Sequence, residues 1–487
     1  MTYKAQLKIT SISYLLLPSI LFLLTWVKPL WGFSSTLIIL LMSFQVFKTI
    51  IQTEPTHEHS QRPSNFNIGI LFIVSLLFNI LMGIGEFREQ TADFIANNFK
   101  IYDLVKNDFP VFYPDYKVYL CYYLAYYLPT AMLGKIFGLA FCHYFLLLWS
   151  TLGIFLTLSW IYTFSRKAPF LLIIAFLFYS HSWIFIYLLR FLEIDTIHFQ
   201  AYFIKINDFM MAINSFVNNY AWAPQHTIPA CLGICLIINN YLHKESLLIE
   251  SVLVLMSTIF WSPFATIGLF PFVLVLFLKN IKILFHKNHF SELLQTAFLC
   301  IGFLPILSYL TSTQGVNADN TGVIWNAGEA DWWVYYLFYF IIHFGIWAIL
   351  AFSYKSKFQE LFVIAFGTLC LLAFCKIGMM NDLNIRASVP SLVILSITIG
   401  YIAIHYFSFK KPQHWAWMLF FFINSAIPIL KILKGFLPSK PETTIENHFN
   451  TGSFTMLQHQ EKTYNKSAVK EYSLAEGSTF EKYFLKH

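Results

Sequence analysis

The chain has 487 residues, 57% of them hydrophobic and only 12% charged, with a mean hydropathy of +0.61. A soluble domain needs roughly 25% charged residues to cover its surface, so this composition excludes one and leaves lipid as the solvent for the apolar side chains. The net charge of +7 is spread as lysines between apolar runs, which suits orientation signals and sets nucleic acid aside.

In chain order, the first apolar run, from about Ser11 to Leu30, is long enough to span a bilayer and has no small-residue cleavage site, so it reads as a span rather than a signal peptide. Further apolar runs cover 33–52, 66–85, 118–138, 140–164, 168–189, 226–242, 246–261, 263–279, 292–311, 332–352, 358–378, 387–408 and 414–433. The expected fold is all-α and polytopic, with about 12–14 transmembrane or re-entrant helices. Pro129, Pro229, Pro263, Pro271 and Pro305 mark runs that can be broken. No internal repeat is visible. Residues 1–434 form the transmembrane domain and 435–487 a polar tail, whose end from Phe480 to Leu485 is apolar enough to dock. The seven cysteines lie almost entirely inside apolar runs without zinc-type spacing and read as small packing residues. The 53 Phe, 27 Tyr and 13 Trp include rings suited to the headgroup level.

Three longer polar connections stand out: 86–117, 190–225 and 311–331. Lysine placement puts Lys4 and Lys8, the 52–65 connection, Arg166 and Lys167, Lys244, Lys279, Lys282 and Lys287, Lys355 and Lys357, and Lys410 and Lys411 on the cytoplasmic side. The 311–331 connection carries Asp319, Glu329 and Asp331 without Lys or Arg, as an outside loop should. All three connections share the outside face only if 118–138, interrupted by Pro129 and Gly134, is short or re-entrant.

The first connection holds Glu86, Glu89, Asp93, Asp103, Asp108 and Asp115. Thr91 to Val105 reads as an amphipathic interfacial helix with Phe94, Ile101 and Leu104 on its apolar side, and Asp93 and Asn97 on one face. A carboxylate there can serve as a general base or hold a divalent ion, or simply solvate the loop. The second connection includes Arg190, Glu193, Asp195, His198 and Asp208 and runs into Trp222, Pro224, Gln225 and His226 at a span entrance. Here a histidine can meet a phosphate or sit as an interface residue. At the third, Lys376, Asn381, Asp382 and Arg386 lead into the 387–408 span. Asp382 and Arg386 are spaced to pair, and the arginine fork suits a phosphate or diphosphate.

The acidic loop with its helix, followed by a Tyr-rich run ending in Gly134, Lys135 and Gly138, resembles the glycosyltransferase C superfamily, polytopic enzymes that use polyprenyl-phosphate sugar donors. More narrowly, ADFIANNFKIYDLVKNDFPV and YLCYYLAYYLPTAMLGKIFG, then WAPQH and NDLNIRASVP, resemble a set of bacterial membrane proteins of that type. Their loop usually reads Asp-Trp-x-x-His-Asn and their later motif Asn-Asp-x-x-x-Arg-x-Ser-x-Pro. Here Asp93-Phe94 stands for the Asp-Trp pair, and Asn97, beside Asn98, occupies the His position.

The resemblance implies a transferase in the bacterial cytoplasmic membrane, working on its outer face with inversion at the sugar. Asp93 would be the base for an acceptor hydroxyl or a ligand of Mg²⁺ or Mn²⁺. Arg386 and Lys376 would clamp the donor phosphate, with Gln225 and His226 on the phosphate or the sugar, and Asn97, Asn381 and Asp382 in support. Two readings compete: a transporter or flippase for lipid-linked glycans, and a non-catalytic scaffold of an envelope complex docked through its tail.

Overall fold

The structure is a computed structural model that describes residues 1–53, 62–181, 199–200, 203–243, 248–284, 290–315, 321–328, 330–378, 380–437, 455–463 and 466–486. It is an all-α polytopic membrane protein. Among the described residues six helices are long and apolar enough to cross a bilayer, or seven if the bent pair Phe290–Gly302 and Leu304–Thr311 is one span. Shorter apolar helices of 10–17 residues pack among them.

Helices α1 (Tyr3–Trp26), α2 (Pro29–Thr53) and α3 (Asn65–Leu81) lead to α4 (Asp93–Lys106), the hairpin of β1 (Phe112–Tyr113) and β2 (Val118–Tyr119), α5 (Leu128–Phe137), α6 (Cys142–Thr163) and α7 (Pro169–Phe178). Strands β3 (Phe199–Gln200), β4 (Phe203–Ile206) and β5 (Phe209–Ala212) pair antiparallel in that order. Next come α8 (Phe216–Trp222), α9 (Pro224–His243), α10 (Leu248–Ile259) and α11 (Pro263–Leu284), then the bent pair α12 (Phe290–Gly302) and α13 (Leu304–Thr311). Strand β6 (Thr321–Val323) pairs with β7 (Cys375–Ile377) across α14 (Trp332–Phe340), a π-helical turn at Ile341–Gly345, α15 (Ile346–Ser353) and α16 (Gln359–Leu372). The chain continues through α17 (Asp382–Ala387), α18 (Val389–Tyr406), α19 (Pro412–Asn424) and α20 (Ala426–Lys434) to the short helices α21 (Met456–Thr463) and α22 (Lys466–Glu471).

Polar contacts sort the helix ends into two sets. At one end Lys8 pairs with Glu250 at 2.9 Å, Lys167 donates to the Ile404 carbonyl at 2.8 Å, Lys357 to the Phe164 carbonyl at 2.8 Å, and Lys279 pairs with Glu360. These are lysines that the sequence puts on one side. At the other end Lys434 pairs with Glu89 at 3.0 Å, and the Gln314 amide donates to the Ser473 carbonyl at 2.9 Å.

Helix α5 ends at this second, acidic end. Lys135 in its last turn donates to the carbonyls of Val105 (3.2 Å) and Asn107 (2.5 Å) beside the end of α4. A Cβ on Gly134 would lie 2.4 Å from Cys142 Sγ, so α6 starts where α5 stops. The 118–138 run therefore does not cross. Pro129 near its start and Gly138 at φ 100° after its end confine the helix to ten residues.

The described part of the C-terminal tail is folded onto the acidic end. Phe480 and Leu485 are fully buried, and Phe480 packs on Phe22 and Tyr309. The Lys28 amide donates to the Phe484 carbonyl at 2.7 Å, and Cys121 to the Tyr472 carbonyl at 2.9 Å. Arg190, Glu193, Asp195, His198, Asp319 and Glu329 lie outside the described residues.

Candidate functional site

Asparagine side chains fix α17. Asn381 stands just before it at φ 52°, a left-handed conformation that asparagine tolerates better than most residues. Its Oδ1 accepts from the amides of Ile377 (3.3 Å) and Asn384 (3.4 Å), while its Nδ2 donates to the Met210 carbonyl at 2.7 Å. Asn384 accepts from the Ala212 amide at 2.8 Å and donates to Tyr339 Oη at 3.0 Å. These bonds hold α17 against β5. On its other side α11 comes so close at Gly268 that a Cβ there would lie 2.2 Å from the Ala387 carbonyl oxygen.

Arg386 projects from this clamped turn and is 8% exposed. Its Nε lies 3.5 Å from Asp382 Oδ1, one turn earlier, and Nη1 donates to Asn219 on α8 at 3.4 Å. Both contacts are long, and Nε makes no hydrogen bond among the described residues. A guanidinium carries five donors in a planar fork, so most of this one's capacity is unused.

Helix α4 brings up the opposing carboxylate. Thr91 Oγ1 donates to the Ala221 carbonyl at 3.0 Å, which ties the start of α4 to the end of α8. The helix matches the expected amphipathic segment, and Phe94, Ile101 and Leu104 are buried as that reading requires. Its polar residues Asn97, Asn98, Lys100 and Asp103 are buried too, so it does not lie with a wet face on a surface. The cause is the chain folded over it. Phe99 packs on His459 of α21, and Tyr113 Oη and the Met456 amide donate to Asp103 Oδ2 at 2.7 and 2.9 Å.

Most acids of this connection serve the fold. Glu86 accepts from Asn98 at 3.0 Å, Glu89 pairs with Lys434, Asp103 anchors α21, and Asp115 accepts from Gln458 at 3.2 Å. Asp93 makes neither a hydrogen bond nor an ion pair among the described residues. Burial pushes its carboxyl above the ordinary range, against the downward pull of Arg386 and Lys100, and Asp382 adds to the rise.

Gln225 and His226 open α9 and are both buried. His226 Nδ1 lies 2.6 Å from Ser262 Oγ, its ring stands 5.0 Å from Tyr123, and the charges of Arg386 and Lys100 both reach it. Gln225 Oε1 is buried without a partner. Tyr122 and Tyr123, half-buried, are hydrogen-bonded to each other through their hydroxyls.

The residue that sequence reading missed is Lys100. It is 2% exposed, and its Nζ donates to Asn97 Oδ1 at 3.1 Å. The ammonium also sits 4.3 Å from the ring centre of Tyr122, 5.2 Å from Tyr127 and 5.5 Å from Tyr472. Burial pushes it down to about 7, while Asp93 pulls the other way. The available signal was helical spacing: Asp93, Asn97 and Lys100 stand at i, i+4 and i+7, on one face.

The structure thus brings together Asp93, Asn97, Asp382, Arg386 and His226, with Gln225 beside them. Asn381 acts by capping α17. Lys376 is not joined to this cluster by any contact among the described residues. Its Nζ donates to the Asp208 carbonyl at 2.7 Å and so pins the β4–β5 turn. For a divalent ion the charged oxygen donors would be Asp93 and Asp382, with two cations already set against them. Two carboxylates are a donor set that a magnesium-like ion can share with a substrate phosphate, here opposed by the charges of Arg386 and Lys100. Among the described residues no three His, Cys, Asp or Glu side chains gather as a metal site. Compared with family models, curated proteins and solved structures, the chain matches none of them.

Proposed function

We propose that this chain is a glycosyltransferase of the bacterial cytoplasmic membrane. It would move a sugar from a polyprenyl-phosphate donor to an envelope acceptor at the outer face, as the resemblance to the glycosyltransferase C superfamily implies. The observation that carries the reading is an unpaired carboxylate, Asp93, set among an under-used arginine, a buried lysine and a histidine at the acidic end of the helices. The opposite end carries Lys8, Lys167, Lys279 and Lys357, four of the lysines that the sequence assigns to the cytoplasmic side, which suits an outward-facing site.

In this mechanism Arg386 holds the donor phosphate with its free donors. Asp93 accepts the proton of the acceptor hydroxyl as that oxygen attacks the anomeric carbon from the face opposite the phosphate. The sugar–phosphate bond breaks, its electron pair leaves on the phosphate oxygen, and Arg386 meets the developing charge. A raised carboxyl pKa makes Asp93 a stronger base than an exposed aspartate.

The test is a deletion strain complemented with wild type, Asp93→Asn or Arg386→Ala at equal expression, with envelope glycans and glycolipids profiled by mass spectrometry. A sugar lost on deletion and restored by wild type alone supports the transferase. An unchanged profile, or rescue by both variants, favours the transporter or scaffold.

A further inference from the structure

The reading above gives Arg386 a phosphate and leaves Lys100 without a ligand. Lys100 is a cation withdrawn from water with no carboxylate within ion-pair distance among the described residues; Asn97 and three tyrosine rings form its surroundings. Such a charge is costly to bury unless something supplies the opposite sign.

The neighbouring hydrogen-bond inventory points the same way. Asn97 Oδ1 is occupied by Lys100 at 3.1 Å and Tyr127 Oη at 2.6 Å, which fixes the amide so that Nδ2 faces elsewhere. That Nδ2 is buried and has no acceptor among the described residues. A buried amide N–H and an ammonium side by side offer donors and lack acceptors. Arg386 Nε is a third unfilled donor in the same charge cluster, and Asp93 feels both cations. A neutral sugar would bring hydroxyls, each a donor as well as an acceptor, whereas an anionic group brings acceptors alone.

We infer that Asn97 and Lys100 form a second anion subsite, so that the ligand of this cleft carries two negative groups, one held at Arg386 and the other at Lys100. This rests on the reading that Arg386 binds the donor phosphate. Two sources share the chemistry: the second phosphate of a diphosphate-linked donor, and the carboxylate of an acidic sugar. Tyr472 closes one wall of the subsite, which gives the C-terminal segment a part in binding.

The test is titration calorimetry on the purified full chain in detergent, with four probes: inorganic phosphate, pyrophosphate, glucose 1-phosphate and glucuronic acid 1-phosphate. At pH 6 the expected result is that pyrophosphate binds at least about tenfold tighter than phosphate, or glucuronic acid 1-phosphate at least about tenfold tighter than glucose 1-phosphate. Which pair shows the gain identifies the source. Lys100→Met should abolish the gain and Lys100→Arg keep it, while Arg386→Ala weakens every probe. A wild-type readout stands apart from folding of the variants. The gain of glucuronic acid 1-phosphate over glucose 1-phosphate should fade between pH 6 and 8 as Lys100 loses its proton near 7, because the phosphate titration common to both probes cancels. Arg386-dependent phosphate binding without any gain from a second charge, or a gain that survives Lys100→Met, overturns the second subsite alone. No binding of any probe overturns the phosphate reading as well.

Discussion

Asp103 offers a quantitative test of how the C-terminal segment is held over the cleft. Its carboxyl is fully buried and accepts from the Met456 amide at 2.9 Å and Tyr113 Oη at 2.7 Å. Burial raises it to about 6, although both hydrogen bonds pull it down. An aspartate returned to water titrates near about 3.9, so the difference corresponds to roughly 3 kcal/mol at most. The sign follows from proton count. Between about pH 4 and 6 the docked state keeps a proton that the undocked state releases, so docking weakens as pH rises through that window. The full penalty is present above about 6. Asp103→Asn keeps an oxygen that can accept both bonds and removes the charge. Hydrogen–deuterium exchange at the Met456 amide, corrected for intrinsic rates, should then show wild-type protection falling by roughly 25-fold from pH 4.5 to 7.5. The asparagine variant should stay flat and well protected. An unchanged pH profile in Asp103→Asn, or loss of protection at every pH, would refute the reasoning.

Three further outcomes follow from individual contacts. Lys376→Met leaves the Asp208 carbonyl without its donor and should lower stability by about 0.5–1.5 kcal/mol without altering phosphate affinity; a thermally stable variant that no longer binds phosphate would return Lys376 to the site. Gly268→Ala forces α11 away from α17, since the new Cβ would stand 2.2 Å from the Ala387 oxygen, and should cost about 1–3 kcal/mol while disturbing Arg386. Unchanged melting and unchanged phosphate binding would contradict the close approach. His181 and His343 face each other at 5.0 Å between ring centres, with no hydrogen-bond partner on any ring nitrogen among the described residues. His343→Leu should therefore raise the melting temperature in detergent, by the equivalent of about 1 kcal/mol or more; a fall would mean that the rings hold something.

The membrane class and the lysine-marked end were legible in the sequence because they depend on composition and on charges between apolar runs, and both signals are local. Asp93, His226 and Arg386 stood out for a related reason, as ionisable or strongly hydrogen-bonding groups at the mouths of apolar segments. Lys100 did not, because its meaning depends on partners from distant segments: Tyr122 and Tyr127 before α5, and Tyr472 near the C-terminus. Without them it is one more lysine on a polar loop. The same holds for Asp103, which resembles a solvating acid until Met456 and Tyr113 close over it. Lys376 errs the other way: a lysine near a motif looked like a ligand, and hairpin geometry turned it toward a main-chain carbonyl. The non-crossing of 118–138 was suggested by charge parity and Pro129. The contacts that hold α5 to the end of α4 could not be read from spacing.

The most direct measurement is native mass spectrometry of the purified chain with polyprenyl monophosphate, comparing wild type, Asp93→Asn and Arg386→Ala. The expected result is a bound lipid phosphate on wild type and on Asp93→Asn, and at least about tenfold weaker binding to Arg386→Ala, since the arginine holds the phosphate and the aspartate acts on the acceptor. Equal binding by all three proteins, or none by wild type, would contradict a lipid-phosphate site built on Arg386.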